Sequence, residues 1–415
     1  MSAAPRPARD PLARAWDLDP EVVFLNHGSF GACPVAVLEE QAALRRRLER
    51  EPVRFMVREL PALARAAREA LGAFVGADPD DLAFVPNATH GVATVLASLP
   101  LGPGDELLTT DHVYPACRNA LAHLAERAGA RLVVAPVPFP LDHADVVVER
   151  VLAAVTPRTR LALLDWVTSP TGLVLPIGRL VAELAARGVD TLVDAAHAPG
   201  MVPMDLRALG AAWVTGNAHK WLCTPKGSAF LWARRDRQAG LRPLAISHGA
   251  SAPVAGTTRF RLEFDWTGTC DPTPWLVLPR ALELVGGLVP GGWPALRARN
   301  RALALEARAL LCAALDVPAP APPDLVGALA AVPLPPAPPG TRPGPHGTQP
   351  LQDALLERHG VEVPVFAWPA PPRRLLRIAA QLYNHRDEYA HLARLLPGLL
   401  AEESRTGVDP GRGGA

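Results

Sequence analysis

Lys220 and Lys226 stand six residues apart in GNAHKWLCTPKGSAF, and no other lysine occurs among 415 residues, although Lys and Arg together number 42. Arginine serves surface charge, ion pairs and phosphate clamps, but its guanidinium stays protonated and cannot act as an amine nucleophile. A reactive primary amine is therefore the chemistry to look for here. Other reactive side chains fall just after short apolar runs. Asp194 closes DTLVDA with His197 three residues on, His112 and Tyr114 follow DELLTT, and Asn217-Ala218-His219-Lys220 follows AAWVTG. Asn87-Ala88-Thr89-His90-Gly91 follows DLAFVP and opens a helical stretch. An acid at the end of a buried run needs a partner, because isolated buried charge is costly; a protonated heteroaromatic nitrogen is one such partner. A helix start offers free N–H groups to a phosphate, although Thr89 reads equally well as an ordinary N-cap. Amine, acid, aromatic ring face and phosphate seat, at successive strand ends, are together what pyridoxal 5′-phosphate (PLP) requires.

Such strand ends need a scaffold. The runs 81–85, 105–110, 131–137, 159–166, 190–195, 211–216 and 228–233 are short, apolar and bounded by Gly, Pro or Asp, as strands covered on both faces should be. Amphipathic stretches separate them, and residues 35–50 and 60–75 show helical periodicity. This alternation predicts a large α/β domain with a mostly parallel sheet over 21–270. From 271 to 404 the rhythm changes to a smaller α+β unit. Helices are expected at 273–287, 293–315, in LQDALLERHG and in DEYAHLARLLPGLL, strands in VEVPVFA and RLLRIAA, and Pro-rich loops at 317–345. Residues 1–20 and 405–415 are rich in Pro, Gly and Arg and are expected to be flexible or disordered.

Composition narrows the function classes. Apolar residues make up 49% of the chain, enough for sizeable cores. A formal net charge of +1 offers no electrostatic footprint for nucleic acid or an anionic membrane. The five cysteines form neither a CxxC pair nor a Cys/His cluster, so neither a metal site nor a disulfide framework is expected. No apolar run reaches membrane-spanning length, and a cytoplasmic protein is expected.

The motifs VDAAHAPG and TGNAHKWLCTPKG, with Lys220 lying 23 residues after His197, resemble the class V aminotransferase family of fold-type I PLP enzymes. The isopenicillin N epimerase-like branch is the most similar, through FLNHGSFGACP (24–34), PNATHG (86–91), DHVY, VTSPTG (167–172), WTGTCDPTPW (266–275) and RIAAQLYN (377–384). The resemblance implies that Lys220 forms the Schiff base with PLP and moves protons at the substrate α-carbon. It also implies that Asp194 pairs with the ring nitrogen, that His197 lies near the phenolic oxygen with Ser169 or Thr168 close by, and that Tyr114 rather than His112 stacks on the ring. Ala88, Thr89, Asn217 and His219 would hold the phosphate, joined by Thr269 from a second copy in a homodimer. Arg377 would clamp the substrate carboxylate, and Asn26 and His27 would line the substrate side, although His27 reads equally well as a loop histidine with no catalytic part. The family usually has RIS where this chain has Arg377-Ile378-Ala379, which puts the fine geometry of carboxylate binding in doubt. Lys226 reads as a turn residue and Cys223 as a small buried one. The reaction stays open among epimerisation, C–S lyase-type β-elimination and transamination. A non-enzymatic binding module is the reading of another class, and Lys220, Asp194 and Arg377 together speak against it.

Overall fold

The computed structural model describes residues 7–251, 256–344 and 347–406. The seven apolar runs are the seven strands of the main sheet. They are β2 (Leu82–Val85), β3 (Glu106–Thr110), β4 (Arg131–Ala135), β5 (Thr159–Asp165), β6 (Asp190–Asp194), β7 (Trp213–Asn217) and β8 (Ala229–Ala233), after a short β1 (Val23–Phe24) outside that sheet. Their order is β2-β8-β7-β6-β5-β3-β4, parallel from β7 through β4, with β8 antiparallel to both neighbours. Successive side chains leave opposite faces of a strand. Leu108, Ala162, Leu164 and Val193 accordingly pack under helices Asp145–Ala153 and Ile177–Ala185, while Leu107, Leu161, Leu163 and Leu192 pack under helices Ala88–Ala97 and Pro115–Ala128. The chain leaves β3 for β4 on one side and returns to β5 on the other. In an open α/β sheet the ligand crevice lies outside the strand carboxyl ends at such a reversal.

The second core packs helices Gly292–Leu315 and Arg386–Thr406 on an antiparallel sheet. Its strands are β9 (Leu329–Leu334), β11 (Val365–Ala367) and β12 (Arg374–Ala379), in the order β11-β12-β9. The strand β10 (Val361–Glu362) pairs in parallel with β1, so Val23 and Leu25 join this core.

Several expectations are corrected. β9 lies inside the segment expected to be Pro-rich loop; Pro333 is tolerated there because β9 is an edge strand, where a missing N–H costs no ladder bond. The helix expected over 273–287 is two, Thr273–Leu276 and Leu278–Gly287, with Pro279 at the start of the second. Both pack against helices Val35–Arg50 and Leu60–Val75, through Leu276, Val277 and Ala281. Fraying over 1–20 does not hold from residue 7 on. Residues Pro11–Ala15 form a 3-10 turn, Trp16 is buried with its indole N–H on the Ala32 carbonyl at 3.2 Å, and Asp10 pairs with Arg299. Within the expected tail the last helix runs to Thr406, and residues 407–415 lie outside the described residues.

Candidate active site

Lys220 follows β7, and its Nζ lies 3.3 Å from His197 Nε2 on the loop after β6. Burial, reinforced by the positive charge of Arg377, pulls the Lys220 amine down to about 8. A larger share of it is therefore unprotonated near neutrality than in a free lysine. His197 is itself buried; its Nδ1 accepts the Trp221 indole N–H at 3.3 Å, and burial pushes the ring well below the usual histidine range.

The last residues of β5 and β6, Asp165 and Asp194, are register partners, and both are buried. Asp194 accepts the Ala196 N–H at 2.9 Å and the Cys117 thiol at 3.3 Å. Burial raises its carboxyl above the usual range, and raises Asp165 further with help from the Asp194 charge. Asp165 Oδ2 finds no hydrogen-bond partner among the described residues. A cationic ring nitrogen at this strand end would relieve an acid placed so unfavourably. Asp165 and Cys117 are the neighbours that sequence reasoning missed. The end of TRLALLD carried the same signal as the end of DTLVD, an acid closing an apolar run. Tyr114 stands at the end of the β3 loop, 41% exposed and within electrostatic reach of Asp194 and Arg377. His112 is instead buried, bonded to Thr171 Oγ1 at 2.7 Å and the Val137 carbonyl at 2.9 Å.

Arg377, on β12, is buried, and no carboxylate among the described residues pairs with it. Its Nη1 donates to the Ser169 carbonyl at 2.5 Å and hydroxyl at 3.2 Å, its Nη2 donates to Ser29 Oγ at 3.2 Å, and its Nε has no partner among the described residues. The guanidinium lies 5.0 Å over the Phe366 ring. A buried cation left this way suits an incoming anion. Ser169 thus belongs to the cluster, while Thr168 is turned into its own loop on Thr171 Oγ1 and the Leu173 N–H. Ser29 was missed.

The N-terminal loop serves Lys220 differently from expectation. His27 is fully buried, with Nδ1 on Tyr383 OH at 2.8 Å and Nε2 on the Lys220 carbonyl at 3.0 Å, so it braces the lysine backbone and presents no free nitrogen to a substrate. Asn26 is likewise turned away, its amide on Glu362 at 2.8 Å and its oxygen accepting from Ser29. Gly31, at φ 72°, presses on the same backbone; a Cβ there would lie 2.0 Å from the His219 carbonyl. Lys226 Nζ donates to the Gly31 carbonyl at 3.0 Å, pinning this loop to the lysine segment and giving the second lysine a part. Replacing Lys226 by Met is expected to cost about 1 kcal/mol for this part-buried charged bond from an exposed lysine. Calorimetry should show a melting point lower by roughly 1–3 °C, recovered in Lys226→Arg; equal melting of the Met variant would sink the clamp.

The phosphate seat is partly closed on itself. Asn87 caps helix Ala88–Ala97 through the His90 N–H at 2.8 Å, and Asn217 Oδ1 takes the Ala88 N–H at 2.8 Å, so these two expected contacts engage each other. Thr89 is half-buried at the helix start, and His219 Nδ1 meets the Ser228 carbonyl at 3.0 Å while its Nε2 has no hydrogen bond among the described residues. Thr269 is exposed on the loop before Thr273–Leu276. The side chains present fit PLP: a buried amine, an acid in want of a cation, a part-exposed tyrosine, a helix start and a guanidinium with no carboxylate partner among the described residues.

Comparison with known proteins identifies the family. Residues 37–287 match the family model for aminotransferase class-V. The chain is 38% identical to isopenicillin N epimerase of Streptomyces clavuligerus, over 93% of this chain and 96% of that protein. It is 32% identical to putative L-cysteine desulfhydrase 2 of Oryza sativa subsp. japonica, over 92% and 86%. Among solved structures, the cystine C-S lyase C-DES, in a variant with glycine covalently linked to its PLP cofactor, superposes with a TM-score of 0.74 at 23% identity, covering 91% of this chain and 96% of that one. The chain belongs to the class V aminotransferase family, and with it to the enzymes of the fold-type I architecture.

Proposed function

We propose that this enzyme uses PLP to act at the α-carbon of an amino acid or amino-acid-derived substrate, and that the reaction is epimerisation of the isopenicillin N epimerase type. The observation that carries it is the placing of Lys220, a buried amine drawn down to about 8, near Arg377, a buried guanidinium lacking an acid partner among the described residues. When bound, PLP supplies an electron sink for negative charge developing at the α-carbon. Asp194 would hold the ring nitrogen, His197 and Ser169 the phenolic side, Tyr114 the ring face, and Thr89, His219 and the Ala88–Asn217 pair the phosphate. Thr269 would reach the phosphate from a second copy, which makes a homodimer with shared sites part of the proposal. Arg377 orients the substrate carboxylate, and the Lys220 amine takes the α-proton on its face. Return on the opposite face needs a second donor. His27 is used up in bracing Lys220, which leaves Tyr114 or a water; burial raises the Tyr114 phenol, so it stays protonated and able to donate.

Identity with the epimerase supports this reading; similarity to the rice desulfhydrase supports β-elimination as the alternative, and transamination remains the third. Persulfide chemistry of the desulfurase type has less support, because the loop APPGTRPGPHGTQ carries no cysteine nucleophile. No helix among the described residues is long and apolar enough to cross a membrane, which fits the cytoplasmic setting we propose. The test is incubation of PLP-loaded protein with amino acids and their peptide derivatives in deuterated water, following α-deuterium, chirality and pyruvate together. Deuterium exchange with racemisation is expected. Pyruvate from cysteine-type substrates would replace epimerisation by elimination, and neither without a keto-acid acceptor would leave transamination.

A further inference from the structure

We infer that Trp221 is a positioning residue: its indole selects the Nε2–H tautomer of His197, which then offers Lys220 a hydrogen-bond donor and so favours the neutral amine. Tryptophan has one polar hydrogen and accepts nothing. With Trp221 Nε1 at 3.3 Å from His197 Nδ1, that nitrogen has to present its lone pair. An uncharged imidazole carries a single N–H, so the proton sits on Nε2, the atom 3.3 Å from Lys220 Nζ. An ammonium has only donors and would meet donor with donor, whereas the free amine accepts through its lone pair.

The surroundings hold this arrangement in place. Trp221 is fully buried and packs on His27, ring centroids 4.8 Å apart, while His27 Nε2 grips the Lys220 carbonyl. His197 is kept uncharged by burial, with the charges of Lys220 and Arg377 adding to it; His27 and His219 are held neutral by burial themselves. Lys220 faces Arg377 from β12, which favours the neutral form, and Asp194, Asp165 and Cys117 from β6, β5 and the helix after β3, which favour the charged one. Exchanging Trp221 for phenylalanine changes none of these charges. It keeps most of the ring volume and removes the indole N–H, freeing His197 to carry its proton on Nδ1 and accept from an ammonium at Nε2.

The inference rests on the proposed function only for its catalytic consequence. Its test needs no turnover, because the chain has just two lysines. In full-length protein labelled with ¹³C at lysine Cε and stripped of bound carbonyl compounds by dialysis against hydroxylamine, two resonances titrate. Trp221→Phe is expected to move the Lys220 midpoint up by about one pH unit, lowering its neutral fraction near pH 7 roughly tenfold, while Lys226 stays in place as internal control. An unmoved Lys220 midpoint in folded Trp221→Phe overturns the inference. Should that variant fail to fold, ¹⁵N-histidine spectra of the unmodified chain, assigned with His197→Gln, decide it: protonated Nε2 is expected, and protonated Nδ1 overturns it. Failure of the PLP reading would show separately, as a wild-type protein that stays colourless with PLP.

Discussion

Lys220→Arg is expected to abolish turnover, by at least roughly 10³-fold, while the protein still folds and melts near the wild-type temperature. The substitution keeps a cation of similar reach beside Asp194 and His197, so the local charge balance changes little. What disappears is the ability to be a free amine: a guanidinium does not give up its proton in the range where Lys220 sits, about 8. The yellow colour of the PLP-loaded protein should go with it. Lys226→Arg is expected to retain both colour and activity, because Lys226 holds the Gly31 carbonyl and any long donor can do that. Activity of Lys220→Arg within tenfold of wild type, with loss in Lys226→Arg, would transfer the reactive amine to the other lysine.

The contrast between these lysines shows what the sequence carried. Strands β2, β3, β5, β6, β7 and β8 were legible because each is a short, largely buried apolar run, and β4, half-buried at the sheet edge, because it is short, apolar and bounded like them. Lys220, Asp194 and Tyr114 were legible because they end such runs, and strand ends are where an open α/β sheet gathers its ligands. Long-range closure was not legible. That His27 faces the Lys220 backbone and not the substrate, and that Ser29 and not Asn26 touches Arg377, follows from how residues 24–34 wrap onto the lysine loop and β12, about two hundred and more residues later in the chain. Periodicity is silent on such contacts. β9 was hidden for another reason: its flanking prolines argue against a strand unless it is known to lie at a sheet edge, and edge position is a property of the assembled sheet. Asp165 had a visible signal, but its meaning comes from register, which sets it beside Asp194.

Arg377→Met is expected to weaken substrate binding and to stabilise the substrate-free protein at the same time. Among the described residues the buried guanidinium has hydroxyl and carbonyl acceptors only and one nitrogen without a partner, and burial lowers it to about 10. A desolvated charge with no counter-ion is a cost to the fold, and an apolar chain of similar length removes it. Calorimetry without substrate should therefore show a melting point higher by roughly 1–3 °C, if about 1 kcal/mol is recovered. The same desolvation strengthens the pair that forms when a carboxylate arrives. Losing one partner of such a pair costs roughly 2–5 kcal/mol, so kcat/KM should fall between roughly thirty-fold and several thousand-fold, mostly through KM. Arg377→Lys should fall between, since an ammonium keeps the charge but not the two parallel N–H groups that match a carboxylate. A structural role alone predicts the opposite thermal result, a lower melting point in Arg377→Met with the remaining activity showing an unchanged KM. The two readings therefore separate in a pair of measurements on one variant, and a stabilised protein with a raised KM is the result that identifies Arg377 as the carboxylate clamp.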